Sequence, residues 1–379
     1  MTRPIPMATE AQWLGLRAAL AIGLAASITR LICLTLGLGD IPAAYGVVVG
    51  VLVVRPDFCR WPPLIYPVLM LIAAVAMGLG LSVRMMFPDA PQVWWFGIVG
   101  VVMQLLAVAL PAKLALLTNV VAAAGVLPLL DPSAAWADWG HQLEAIAIGL
   151  AVGTALQWGL TPSGYGAPAP PSGPEGEDLP LPERYRLAFA SWSFWRKLVL
   201  AAFALAIGVG LGAQTPKYLY FGVVLLLNDS IGATMARVRD RMVGVSLGVL
   251  MPLLVFNTIG LNSVGVGLAM GGTAALVAAL NLGPYLRTAL ISSGVAFAGY
   301  GPLVAWYIPN RWIDYLLGSG LALLSGVLLF PQSSLRRYRR LLDRGDPESL
   351  EQLRRLYPAA REEAAWLGQG LVSPDAQRG

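Results

Sequence analysis

The stretch from Tyr218 to Gly248, YLYFGVVLLLNDSIGATMARVRDRMVGVSLG, decides the fold class of the chain. It opens as an apolar segment of the kind that spans a membrane and ends that segment with the polar triplet Asn-Asp-Ser at 228–230. A basic turn is expected at 237–241, followed by a second apolar segment spaced by glycines. Arginines in a turn indicate the side of the membrane that it faces, and small residues let neighbouring helices approach closely. The stretch therefore predicts a helical membrane protein with a polar site in one span.

Composition extends this prediction to the whole chain. Of its 379 residues, 57% are hydrophobic and 12% are charged, whereas a soluble domain carries about 25% charged residues. The net charge of +5 comes from loops and the tail, where basic residues act as topology signals and do not indicate nucleic-acid binding. Cys33 and Cys59 are not expected to form a disulfide. The N-terminal residues lack the apolar core of a cleaved signal peptide, so none is expected.

Apolar segments divide the chain into about twelve predicted transmembrane helices, since about 20 apolar residues are needed to cross the hydrocarbon layer. The predicted spans lie near 13–37, 42–55, 63–83, 93–111, 113–130 and 141–160, and then near 196–213, 217–235, 241–260, 263–281, 285–303 and 311–330. We therefore predict an all-α polytopic membrane protein.

Lys and Arg fall unevenly on the two sides of this topology. If both termini lie inside, most basic residues face the inner side, including the tail cluster at 336–340. The outer side receives only Arg84, Lys217 and Arg311. Because basic residues accumulate in cytoplasmic loops, both termini are predicted to be cytoplasmic.

The two halves of the chain resemble each other. Residues 45–50 match 221–226, and residues 110–127 match 282–299. Six spans per half would give the copies the same orientation, related by an axis along the membrane normal, as in many transporters. The predicted domains are a first transmembrane repeat (1–162), a flexible linker and interfacial segment (163–193), a second transmembrane repeat (194–331) and a short cytoplasmic amphipathic tail (332–379).

Several motifs of the second half resemble a known family. They are a Tyr-Phe-Gly-Val-Val opening of one span at 220–224, the series Arg241, Gly244 and Gly248 at the start of the next, and a closing Arg311, Gly318 and Phe330-Pro331. These residues resemble the fusaric acid resistance and aromatic acid exporter family of bacterial inner-membrane efflux proteins. The resemblance implies export of small aromatic or other organic acids, a location in the bacterial inner membrane and a periplasmic adaptor as a candidate partner.

Four residues are candidates for substrate binding. Arg30 lies about two thirds of the way along the first span, and its rigid guanidinium fork matches a carboxylate. It could instead reach the outer surface or pair with a structural acid. Asn228, Asp229 and Ser230 form the strongest polar cluster in a span. Asp229 could exchange a proton, because burial raises a carboxyl pKa towards neutrality, or it could pair with an arginine near the inner surface.

Glu144 and Asp314 occupy matching places in the sixth and twelfth predicted spans. Together with Asp229 they are candidates for proton coupling, since acids inside a membrane often form relays. They could equally hold loop donors at the outer surface. The single histidine, His141, has no second metal ligand beside it, so no metal site is predicted.

Three functions remain open from the sequence. The first is a secondary transporter that exports small organic acids, driven by protons, with membrane lipid, organic anions and a homo-oligomer as expected partners. The alternatives are a passive organic-anion channel and a non-transporting membrane scaffold that uses its tail to bind partners. The chain lacks P-loop, HExxH and paired CxxC motifs, so no catalytic residue and no cofactor are expected.

Overall fold

The computed structural model describes residues 8–111, 118–130, 135–167, 179–213, 216–226, 230–297, 304–328, 333–344 and 349–374. Within these ranges the chain is helical and contains no strand. The helices are α1 Ala8–Thr35, α2 Asp40–Val53, α3 Ile65–Met86, α4 Gln92–Ala109, α5 Thr118–Ala124, α6 Trp136–Gly159, α7 Leu181–Ala190, α8 Trp192–Gly210, α9 Pro216–Leu226, α10 Ile231–Thr258, α11 Ser263–Ala279, α12 Leu286–Phe297, α13 Val304–Leu328, α14 Ser334–Arg344 and α15 Ser349–Trp366.

Each predicted span overlaps at least one of these helices, so the all-α class is confirmed. Helices α1, α3, α4, α8 and α10 are long and apolar enough to cross a membrane, and α2 and α11 are shorter apolar helices. The chain is thus a helical membrane protein. The count of twelve transmembrane helices stays a prediction.

The predicted basic turn at 237–241 is wrong. Residues 231–258 form one continuous helix, α10, which is capped by Ser230 and runs through all three arginines. The turn residues contain no glycine or proline to end a helix. A helix of 28 residues is about 42 Å long, which exceeds the roughly 30 Å of hydrocarbon. The basic part of α10 can therefore extend beyond the apolar layer.

Helix pairs recur in matching order in the two halves. The second and sixth helices pair in both, as α2 with α6 and α9 with α13. Between the halves, α1 packs on α11 and α8 packs on α4, while α2 meets α12 and α9 meets α5. Each of these helix contacts thus has a counterpart between the helices at the matching positions of the two halves.

The two largest apolar clusters combine both halves. One buried cluster joins α1 and α2 with α10, α11 and α12. A second joins α3 to α6 with α8 and α9. Since each of these two clusters includes helices from both halves, the first and second halves of the chain interlock.

Glycines form close helix crossings in both halves. Gly46 and Gly50 of α2 lie against Gly149 and Gly153 of α6, with backbone directly on backbone. In the second half, Gly222 of α9 and the α13 glycine at 318 meet in the same way. Small residues at such positions allow the close approach that packing within a membrane requires.

Helix α7 and the tail cover one end of the bundle, which we call the basic end. The end of the predicted interfacial segment forms α7, which meets α8 at Ser191. Arg184 and Tyr185 of α7 donate hydrogen bonds of 3.0 Å to the carbonyls of Ala109 and Leu105, which caps the end of α4. The tail forms two helices, α14 and α15, which pack on each other and on α10.

Candidate functional site

A cavity of about 270 Å³ opens at the basic end between the two halves. The loop that follows α2 forms one wall, and the turn before α12 together with the start of α12 forms the other. Val51, Leu286 and Leu290 supply apolar surface, while Arg55, Asp57 and Arg287 supply charge. The cavity therefore combines an apolar wall with two guanidinium groups and one carboxylate.

Asp57 holds Arg55 through both of its carboxylate oxygens. Arg55 Nε donates to Asp57 Oδ1 at 2.9 Å, and Nη2 donates to Oδ2 at 2.8 Å. The guanidinium also lies over the ring of Trp61, with Cζ 4.8 Å from the ring centroid. A bidentate pair that is stacked on an aromatic ring fixes the guanidinium plane as well as its position.

The loop that carries this pair is held from two directions. The buried amide of Gln157 on α6 accepts a hydrogen bond from the Arg55 backbone N–H at 2.9 Å and donates to the Cys59 carbonyl at 3.3 Å. Phe58 closes the turn with a φ of 51° and donates its N–H to the Arg55 carbonyl at 3.0 Å. The loop is thus a preorganised tight turn.

Asp57 stays ionised in this environment. Burial acts to raise the pKa of its carboxyl, but the hydrogen bonds from Arg55 and Cys59 outweigh that effect and hold the pKa below its ordinary value. The Cys59 backbone N–H contributes one of these bonds at 3.1 Å. At neutral pH the Arg55–Asp57 pair therefore carries no net charge.

Arg287 is the second basic group of the cavity. It lies in the first turn of α12, is exposed and is close enough to Arg55 for the two charges to repel each other. Among the residues that the structure describes, no acid forms an ion pair with Arg287. The cavity therefore has a net charge of about +1 and offers one unoccupied guanidinium fork, which suits a carboxylate.

Arg30 lies near the opposite end of α2 and is paired. It is almost fully buried in α1, and its Nη2 lies 2.7 Å from Asp40 Oδ1 at the start of α2. This ion pair is the arrangement expected if Arg30 holds a structural acid. Since α2 has 14 residues, Arg30 and Arg55 are separated by about 20 Å along the helix axis. The substrate-binding role of Arg30 stays a prediction.

Ser230 occupies a structural position at the basic end. Its Oγ caps α10 by accepting from the Ala233 N–H at 3.2 Å and also lies 2.6 Å from Ser334 Oγ in the tail. Asn228 and Asp229 lie outside the described residues. No described contact joins Ser230 to Arg30, so the structure does not bring these two predicted ligands together.

Two of the predicted proton-coupling acids, Glu144 and Asp314, lie on α6 and α13. Glu144 is exposed on α6 and lies within electrostatic reach of Cys33 on α1. Asp314 lies in α13, but its side chain is outside the described part of the chain. Their role in proton coupling stays a prediction.

Sequence reasoning missed the cavity because its parts are far apart in the chain. Taken singly, Arg55 and Arg287 are basic residues at the inner ends of predicted spans. A local signal exists in Arg55-Pro56-Asp57, where an acid two residues after an arginine favours a charge pair in a turn. The approach of Arg287 depends on the contact of α2 with α12, which no local pattern reveals.

Residues 199–325 match the family of fusaric acid resistance protein-like proteins. The match extends from α8 into α13 and confirms the predicted resemblance of the second half. No curated protein and no solved structure matches the chain. The family match associates the chain with membrane transport or efflux.

Proposed function

On the premise of this family match, we propose that the protein is a secondary transporter that exports small organic acids, mainly aromatic carboxylic acids, across the bacterial inner membrane. Coupling to the proton gradient and cytoplasmic positions for both termini are parts of the same proposal. The cavity between Arg55 and Arg287 is the observation that carries it. A carrier for organic anions needs an accessible cationic site with an apolar wall, and this cavity has both features.

In this proposal the cavity is the cytoplasmic entrance. A substrate carboxylate would bind to the unoccupied guanidinium of Arg287, and its apolar body would lie against Val51, Leu286 and Leu290. The positive charge at the basic end would draw anions to the site and raise their local concentration.

The matching helix contacts support an internal repeat. Because the pairs of each half recur in the other, an axis along the membrane normal would relate the halves and place the cavity at their interface. Transporters commonly bind substrate between such repeats. Movement of one half against the other would then expose the site alternately to the two sides.

A transport assay in everted vesicles tests this function. We expect labelled benzoate to accumulate against its gradient when a proton gradient is applied. Arg287→Gln should lower the apparent affinity for benzoate by about tenfold or more, because it removes a charged hydrogen-bond donor. Arg60→Gln is the matched control, since it removes a positive charge at the basic end outside the cavity and should change the affinity by less than about twofold.

Other outcomes identify the alternatives. Benzoate that only equilibrates would indicate a passive anion channel, and absence of flux for every organic acid would favour a scaffold. Asp229→Asn tests the coupling itself. It should abolish uphill accumulation but leave downhill benzoate flux, and unchanged accumulation would remove Asp229 from the proton pathway.

A further inference from the structure

We propose that Asp57 is a specificity-determining residue that makes the cavity select singly charged over doubly charged organic anions. The inference rests on the proposed function, since it concerns the charge of the substrate at the same site. Asp57 does this by occupying the Nε–Nη2 edge of Arg55, so that Arg287 offers the guanidinium that is open to a substrate carboxylate.

Geometry shows that Arg55 is already occupied. Two of its N–H groups donate to the two oxygens of Asp57 at 2.9 and 2.8 Å. This edge of the guanidinium is the one that would bind a carboxylate side by side. Asp57 therefore acts as a built-in carboxylate ligand and competes with any second carboxylate of a substrate.

The Asp57 carboxylate is fixed at the cavity wall. The Cys59 N–H holds Asp57 at 3.1 Å, while Gln157 and Trp61 hold the loop and the Arg55 side chain. To bind this edge of Arg55, a dicarboxylate would have to displace Asp57 from both of its hydrogen bonds to Arg55. If Asp57 stayed in place, the second carboxylate of the substrate would lie beside the ionised Asp57 and would lack a cationic partner.

The proximity of two guanidinium groups supports the same assignment. Arg55 and Arg287 line one cavity and repel each other. Asp57 neutralises one of these charges, and a single monoanion at Arg287 neutralises the other. The local charges of protein and ligand then balance, whereas a dianion would leave one negative charge in excess.

Asp57→Asn tests this directly, because asparagine keeps the size of the side chain but removes its charge. The probes are benzoate and benzene-1,3-dicarboxylate at about pH 8, where carboxylic acids of both kinds are ionised. The wild-type protein should prefer benzoate. The variant should shift the ratio of the two apparent affinities towards the dicarboxylate by about tenfold or more, because a second guanidinium is released.

Asp89→Asn is the matched control. It removes one negative charge from an exposed turn between α3 and α4, away from the cavity, and should leave the ratio unchanged. Asp57→Glu keeps the charge and should keep the preference for benzoate. A thermal melt of each variant in detergent separates loss of folding from altered selectivity.

Arg55→Gln provides a second variant with the opposite expectation. It leaves Asp57 ionised without its partner, so the affinity for both anions should fall, and more for the dicarboxylate. An unchanged affinity ratio in Asp57→Asn, with benzoate transport intact, would overturn the role of Asp57 and leave the proposed function standing. If the wild-type protein binds neither anion, the proposed function itself fails.

Discussion

Replacing Gly149 with alanine should separate α2 from α6 and destabilise the protein. A Cβ atom at this position would overlap the Gly46 carbonyl oxygen and lie 2.8 Å from its carbonyl carbon and 3.1 Å from its Cα atom. Ordinary contacts of this kind begin at 3.4 Å. Since the obstacle is backbone and not a flexible side chain, the helices themselves must move. Overpacking of this kind costs about 1–3 kcal/mol, and we expect the upper part of that range.

The same helix supplies a control. Gly140 lies in α6, and a Cβ atom added there would have nothing within 4 Å, so Gly140→Ala meets no obstacle. Because glycine in a helix interior is less favourable than alanine by about 0.5–1 kcal/mol, the control should stabilise slightly. The two variants should therefore differ by about 3 kcal/mol, which is more than about a hundredfold in the unfolding equilibrium.

Unfolding in mixed micelles measures this difference. The fraction of folded protein is followed by circular dichroism as the mole fraction of denaturing detergent rises, for both variants and the wild type. A Gly149→Ala protein as stable as Gly140→Ala would refute the close crossing of α2 and α6. The same comparison in α13, Gly318→Ala against Gly320→Ala, should give a smaller difference, because the Cα of Gly222 lies 3.3 Å from the added atom and needs to move less.

Two further predictions concern contacts at the ends of the bundle. Asp40→Asn should destabilise the protein by about 1–2 kcal/mol in the same unfolding assay, because it leaves Arg30 buried without its partner. The loss is smaller than for a fully buried pair, since Asp40 itself is largely exposed. Stability equal to that of the wild type would show that Arg30 reaches water. Gly232→Ala should release the tail, since a Cβ atom there would overlap the carbonyl of Ala359 on α15. Limited proteolysis should then cut the tail faster than in the control Gly210→Ala, whose added Cβ atom meets nothing within 4 Å. Equal rates of cleavage would contradict the packing of the tail on α10.

Local features of the fold could be predicted from the sequence because they depend on local composition. Long apolar segments give helices in a membrane since each must satisfy its own backbone hydrogen bonds. The predicted turn at 237–241 was wrong because it was inferred from charge alone. Charge does not end a helix, and α10 continues through these residues. A charge pattern indicates where a chain leaves the apolar layer, and it does not show whether the chain turns there.

The interlocking of the halves and the cavity depend on contacts between distant segments. Neither the packing of α1 on α11 nor that of α2 on α12 has a local signature. Arg30 illustrates the limit, because a buried arginine in an apolar span indicates that a partner exists but not whether the partner is a substrate or Asp40. The acid that pairs with Arg30 lies ten residues later, after a turn whose geometry brings it back.

In the proposed mechanism, the selection of charge and the exchange of protons fall to different acids. In the first half, Asp57 follows Arg55 by two residues, and the pair keeps the carboxylate ionised. Such an acid can select charge but is poorly suited to exchange a proton near neutral pH. In the second half, the residue two positions before Asp229 is Leu227, so the sequence does not repeat the Arg-x-Asp spacing there. In the proposed mechanism Asp57 therefore selects the charge of the anion, and proton exchange needs a different acid, for which Asp229 is the predicted candidate.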